Sequence, residues 1–304
     1  MSTTLQERFA DPTRSSVRQP IIGSATVKLG STWIDVVCDG TFLLDGGSLF
    51  GQVPKALWEL QMRPDRKNRV RLGLNCLLIR TPTQNILIDT GAGSKRADKL
   101  KDDYGLNGNK LIKQLKKLDL SARDIDIVVL THLHFDAAGG CTKLDRSGKA
   151  IPTFPKAKYL VQRAAWDEAN DPNERSQRSF LSDDFAPLQE AGVLTLLEGD
   201  SEIAPGVRTK VTNGHSDGHQ IVLIDAGAER IAFLGELIPT PYHLPLASIA
   251  AFDQAPNDTL LQKRELLDMA IKEGWLLVFG HAFEHRAGYV GQRNGKSEFS
   301  VKEF

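Results

Sequence analysis

Four short apolar runs in this 304-residue chain abut a small residue and then a side chain of the metal-ligating kind. They are IDIVVLTHLHFD, which ends in His132, His134 and Asp136, and GHSDGHQIVLID, which carries His215 and His219 ahead of its run. RIAFLGE ends in Glu236, and WLLVFGH ends in His281. Runs of such near-continuous apolar character read as strands buried on both faces. Ligands drawn from residues 132 to 281 can meet only if the edges of these strands meet, so residues 21–304 read as a single domain.

Chemistry narrows the reading further. On an extended backbone alternate side chains point the same way, so His132, His134 and Asp136 can converge just beyond a strand end. Two imidazoles and a carboxylate suit zinc, iron or manganese. Gly139 and Gly140 allow the chain to turn closely behind them. One histidine of the GHSDGH turn can complete a three-histidine set. His219 abuts the strand and is the expected ligand, which leaves His215 in a supporting or surface position. Glu236 is a carboxylate that can bridge two ions and would be costly to bury unpaired. His281 arrives behind a glycine in the same manner.

The remaining chain reads as mixed α/β. Strands are expected at SATVKLG, TWIDVVCDGTFLL, RVRLGLNCLLIRT, NILIDTG, KYLVQ and TLLE, with PTQN as a tight turn. DGGSLFG reads as a glycine-rich loop before a short helix at VPKALWELQ. Further helices are expected at NKLIKQLKKLD, QRAAWDEAN and DTLLQKRELLDMAIKE. Residues 1–20, polar with two prolines, read as an arm. Lys plus Arg and Asp plus Glu are each 38, so the chain lacks the basic excess that nucleic acid or an anionic membrane attracts. No run approaches the roughly 18 apolar residues of a membrane span. The three cysteines, widely spaced and with no C-x-x-C pair, point to a reducing compartment and a cytoplasmic protein.

THLHFDAAGG, GHSDGHQ, FLGE and FGH resemble, in order and spacing, the metal motifs of the metallo-β-lactamase superfamily. LLDGGSLFGQVPKALW and ILIDTGAG resemble its branch of quorum-quenching lactonases and methyl parathion hydrolase. The likeness spans about residues 25–290. It implies a four-layer αβ/βα sandwich with the site at one edge of two packed sheets. It implies His132, His134 and His219 around a first metal, and Asp136, Glu236 and His281 around a second. Asp89 of LIDTG would orient a ligand or loop. The implied cofactor is zinc, as one ion or two, with iron or manganese as alternatives. The implied partner is a small-molecule substrate, and a homodimer is compatible with it.

Two departures bear on the second metal. The family pattern H-x-H-x-D-H ends here in Ala137, whose methyl group coordinates nothing. Glu236 stands where the family has aspartate. Either the longer carboxylate compensates, or the second site is weakened and one metal works alone. His243 is a candidate replacement ligand, or a surface or substrate contact. Asp217 reads as a solvated acid.

The expected activity is hydrolysis of a lactone or ester by a metal-activated hydroxide, with Asp136 holding the nucleophile or passing its proton to the leaving group. Leu49, Phe50 and Trp58 would form an apolar wall of the mouth, with Tyr242 and His243 at the opposite rim. Phosphotriester or β-lactam hydrolysis is an alternative within the same class. A degenerate metal-binding protein with little hydrolytic activity and a redox or diiron role are alternatives outside it. No G-x-S-x-G elbow competes, and Cys141 reads as packing.

Overall fold

The computed structural model describes residues 25–29, 31–227, 229–293 and 296–302; the arm expected over residues 1–20 lies outside them. The amino-terminal half builds β1 (Ala25–Leu29), β2 (Thr32–Asp45), β3 (Arg69–Arg80), β4 (Asn85–Ile88) and β5 (Ile127–Val129). A small hairpin of β6 (Thr142–Leu144) and β7 (Ala150–Pro152) precedes β8 (Lys158–Gln162) and β9 (Leu194–Leu197). The other half builds β10 (Ser201–Ala204), β11 (Val207–Val211), β12 (Gln220–Ala226) and β13 (Glu229–Phe233). It closes with β14 (Leu276–Val278), β15 (Ala287–Arg293) and β16 (Lys296–Val301). Two seven-stranded sheets result, ordered β1-β2-β3-β4-β5-β8-β9 and β10 through β16.

The helices are α1 (Gly46–Phe50), α2 (Lys55–Trp58), α3 (Ala97–Tyr104), α4 (Leu111–Lys117), α5 (Phe135–Ala138), α6 (Arg163–Asn170), α7 (Ser182–Glu190) and α8 (Pro256–Glu273). Strand alternation sorts the apolar side chains into layers. Val36, Leu77, Ile79, Ile86 and Ile88 of the first sheet meet Val222, Ile224, Ile231, Phe233 and Val278 of the second. Their neighbours Val37, Cys76, Leu78, Leu87 and Val128 point the other way, onto Leu111 and Leu115 of α4, Trp166 of α6 and Phe185 of α7. Ile221, Leu223, Ala232 and Leu277 pack outward onto Leu266, Leu267 and Ala270 of α8. The order helix, sheet, sheet, helix is the expected sandwich. Truncating a central side chain such as Leu87, fully buried, to alanine costs about 2–5 kcal/mol.

Local signals explain the ends of the elements. Pro256 opens α8 with Asp258 in its first turn, and Gly274 at φ +71° closes it by donating to Ala270 O. DGGSLFG, expected as a loop, is instead the one-turn helix α1. The Asp45 carboxylate accepts the Ser48 N–H at 2.8 Å, and this cap offsets the cost of the glycines. The helix expected over VPKALWELQ is only the single turn of α2.

The strands that position the site end at one edge. β4 and β5 run parallel, as do β13 and β14, so Asp89, His132, Glu236 and His281 all follow carboxy-terminal strand ends. β3 stitches the two sheets together there: Gly73 N–H donates to His281 O, and Asn75 Nδ2 donates to Phe279 O and Ala282 O. Among the described residues no helix is long and apolar enough to cross a membrane.

Candidate metal centre

Beyond β5 the chain bends at Thr131, is extended at His134 and then turns into α5. That break splits the expected trio. His132 and His134 join His215, while Asp136, on the first turn of α5, joins Glu236 and His281. Within each set the ligand-type atoms lie within 4.8 Å of one another. The sets adjoin through Asp136: its Oδ1 is 3.9 Å from His132 Nε2 of the first set, while its Oδ2 is 3.8 Å from His281 Nε2 of its own.

Two imidazoles of the first set, His132 and His215, are oriented by a specific neighbour, and their tautomers follow. Thr131 Oγ1 donates to Asp89 Oδ2 at 2.8 Å, so it accepts the His132 Nδ1–H at 2.9 Å. His132 Nε2 is then left as a buried lone pair with no hydrogen-bond partner among the described residues. Asp89 takes a left-handed backbone at φ 57° and accepts the Thr131 N–H as well; burial lifts its carboxyl to about 7. It thus aims Thr131, and through it His132. His215 donates its Nδ1–H to Asp253 Oδ1 at 3.0 Å, and Asp253 Oδ2 also accepts from Thr259 Oγ1 at 2.8 Å. His215 Nε2 therefore faces His134 Nδ1 across 3.0 Å. His134 packs its ring on Phe180, with centroids 4.6 Å apart.

His219, expected as the third ligand, has no free lone pair. Its Nε2 accepts the Glu236 N–H at 3.0 Å and its Nδ1 donates to Thr212 Oγ1 at 2.7 Å. Burial drives it down to about 3, so it stays neutral. It instead pins the backbone that presents Glu236. A Cβ on Gly235 would stand 2.8 Å from His219 Nε2, and Gly235 itself sits at φ +49°, so glycine is required there.

In the second set His281 Nδ1 donates to Gly73 O at 2.8 Å, which turns Nε2 towards Glu236 Oε1 at 2.6 Å. Burial would lower His281, but the charges of Glu236 and Asp136 outweigh it and raise it to about 10. Burial would raise Glu236, but His281 and His215 hold it well below the usual carboxylate range. Burial lowers His132 and His134 well below an ordinary histidine, and the neighbouring rings add to this. His215 moves the other way: burial would lower it, but the hydrogen bond to Asp253 and the charge of Glu236 outweigh that.

The family's final histidine position is Ala137, which is buried. Its carbonyl accepts both the N–H and the Oγ1–H of Thr90, at 2.7 and 2.8 Å. The methyl group offers the second set no donor. Behind it Gly140 packs so closely that a Cβ would lie 2.2 Å from Thr90 O, as the glycine pair suggested. Lys95, which sequence reasoning passed over, bonds Gly139 O, Thr142 O and Asp184 Oδ1 and ties α7 to the back of the site.

His243 does not supply the missing ligand. Its Nε2–H donates to Leu49 O at 3.1 Å, its Nδ1 accepts from Thr240 Oγ1 at 2.8 Å, and its ring stacks on Phe50. Leu49, Phe50 and Trp58, expected to wall the mouth, are nearly fully buried. Phe50 stacks on Trp58 at 5.4 Å with 6° between planes, so these residues are core. Tyr242, expected at the opposite rim, is partly buried and packs against the same cluster. Asp217 is exposed. Cys38, Cys76 and Cys141 are buried and unpaired.

The donor chemistry fits divalent cations. The atoms His132 Nε2, His134 Nε2 and Asp136 Oδ1 are buried without partners among the described residues, a costly state that ligation relieves. The first set is all imidazole, the second one imidazole and two carboxylates.

Comparisons with known proteins agree with this geometry. A family profile of the metallo-beta-lactamase superfamily matches residues 70–281. An N-acyl homoserine lactonase of Bacillus cereus is 27% identical over 239 residues, which are 73% of this chain and 86% of that protein. A probable metal-dependent hydrolase from Staphylococcus aureus superposes with a TM-score of 0.84 at 29% identity, covering 91% of this chain and 99% of its own. The dizinc quorum-quenching lactonase AidC, solved with a product, shares the fold with a TM-score of 0.76 at 20% identity, over 93% of this chain and 98% of its own. The chain belongs to the metallo-beta-lactamase superfamily.

Proposed function

We propose that the chain is a metal-dependent hydrolase that opens a lactone or a related carboxylic ester. The observation that carries this is the pair of abutting donor sets, one all imidazole and one rich in carboxylate, that share the neighbourhood of Asp136. His132, His134 and His215 would hold a first ion, and Asp136, Glu236 and His281 a second. Zinc suits the imidazole set, and iron or manganese also suit the carboxylate-rich one. A divalent ion supplies Lewis acidity and lowers the pKa of coordinated water from 15.7 to about 7.

The chain's own groups do the rest. Asp136, between the two sets and open to solvent over 13% of its side chain, is placed to orient the attacking water and take its proton. Water adds to the carbonyl carbon, the acyl–oxygen bond breaks, and Asp136 returns the proton to the departing alkoxide. Asp89 and Thr131 keep the His132 Nε2 lone pair aimed inward, and Asp253 does the same for His215. The lactonases among the relatives support a lactone as substrate. The three buried, unpaired cysteines support the cytoplasmic assignment.

The test is to strip the purified protein with a chelator, reload it with zinc, manganese or iron, and assay N-hexanoyl homoserine lactone, an aryl ester and paraoxon. Loss of lactone or ester cleavage on stripping and its return on reloading is the expected result. Metal retention without cleavage of any of the three overturns the hydrolase reading. Cleavage confined to paraoxon replaces lactone with phosphotriester.

A further inference from the structure

The expected apolar mouth is core, so specificity must be sought elsewhere. A cavity of about 520 Å³ opens where α3 meets the segment 177–181. Its floor is Leu100, Tyr104 and Phe135, and its rim carries Arg96, Lys99 and Arg178. We propose that this cavity is a subsite for a substrate tail that ends in a carboxylate, a proposal that rests on the hydrolase reading for its catalytic use.

Its place in the fold puts it beside the chemistry. Phe135 lies between His134 and Asp136 in the chain, and these two are the candidate ligands that are partly exposed. The Tyr104 ring packs on Phe135 with centroids 4.9 Å apart. The Tyr104 hydroxyl feels both walls: burial and the charge of Asp136 raise it, and Arg178 pulls it back. The Phe135 N–H donates to Ser179 O at 3.0 Å, so the segment that bears Arg178 is fastened to the residue between the two donor sets.

Charge decides the class of ligand. Arg96 is engaged by Asp183 at 2.8 Å, whereas Lys99 and Arg178 make no ion pair among the described residues. Among the described residues Asp103 is the single acid of the lining and does not balance them. A guanidinium and an ammonium above an apolar floor match an aliphatic stem with a carboxylate end, since the stem buries carbon and the head keeps charge-assisted hydrogen bonds at the rim. A neutral alkyl tail of equal length would fill the floor but gain nothing from the two exposed cations.

The test compares p-nitrophenyl hexanoate with the p-nitrophenyl monoester of adipic acid on the full, metal-loaded chain. Wild type is expected to favour the adipate ester in kcat/KM by roughly five- to tenfold, as two partly exposed ion contacts allow, and to lose that preference at about 0.5 M salt. Lys99→Glu with Arg178→Glu should reverse it through KM rather than kcat, and Arg178→Ala should halve it on a logarithmic scale. Equal kcat/KM for the two esters in wild type overturns the proposal, as does a preference that survives the double substitution. If neither ester is cleaved, the hydrolase reading still stands or falls on the lactone assay above, and calorimetry with adipate alone then decides the subsite. Saturable binding that the double variant abolishes supports it, and no binding overturns it.

Discussion

The two donor sets are neighbours built on opposite plans. In the first, three imidazoles converge, and the protein holds two of them from behind through Asp89–Thr131 and Asp253–Thr259. In the second, two carboxylates face one imidazole, and the position that could add another nitrogen is Ala137. Nitrogen donors with a fixed outer layer make a rigid site selective for borderline ions; oxygen donors of variable reach make a tolerant one. The departures from the family pattern, Ala137 and Glu236, both fall in the second set. The contrast therefore predicts unequal ions: a first that is tightly held and a second that exchanges.

The most severe way to break the contrast is His132→Ala, which removes a nitrogen from the first set. Activity is expected to fall by more than the ~100-fold typical of outer-layer changes, with loss of the tight ion by elemental analysis. Asp253→Asn comes next. It keeps the shape but removes the charge that fixes the His215 tautomer, and affinity at the first site should drop about 10–100-fold while the second is unaffected. Equal weakening of both ions would show that Asp253 acts on the fold rather than on His215. Ala137→His sharpens the contrast from the other side. It should tighten the second ion by adding an imidazole donor, and an unchanged second affinity in a chelator titration would count against the assignment.

Much of this was legible in the chain. The strands carrying the ligands were recognisable because both their faces are buried, which leaves runs such as RIAFLG almost wholly apolar. The choice between His215 and His219 was not. Adjacency to β12 pointed to His219, yet the structure brings His215 together with His132 and His134, while His219 Nε2 accepts the N–H of Glu236, 17 residues away. Leu49, Phe50 and Trp58 were expected at the mouth for a similar reason. Composition gives an aromatic no direction, and the stack of Trp58 on Phe50 on His243 exists only once the segment Pro241–His243 folds over α1. Helix α7 escaped notice because Pro187 interrupts its pattern, and α3 because most of its residues are charged or polar. Both helices now matter: α7 anchors Lys95 behind the site, and α3 lines the cavity in front of it.

A further expected effect concerns stability alone. Lys263 on α8 is fully buried and donates to Pro245 O and Ser248 O. Burial lowers it to about 7, with Asp253 the charged group that opposes the shift. The unfolded chain therefore binds an extra proton between about pH 7 and the ordinary lysine value of 10.5, and stability through this group should rise with pH across that window. Lys263→Met should flatten that rise in denaturant titrations at a series of pH values. A rise that persists in the variant would assign it to another group.

The central claim is that His132, His134 and His215 form the tight metal site. Counting ions per chain after exhaustive dialysis, in wild type and in His215→Ala side by side, tests it most directly. The account predicts that wild type keeps an ion that His215→Ala has lost. An equal ion content in the two proteins would contradict it.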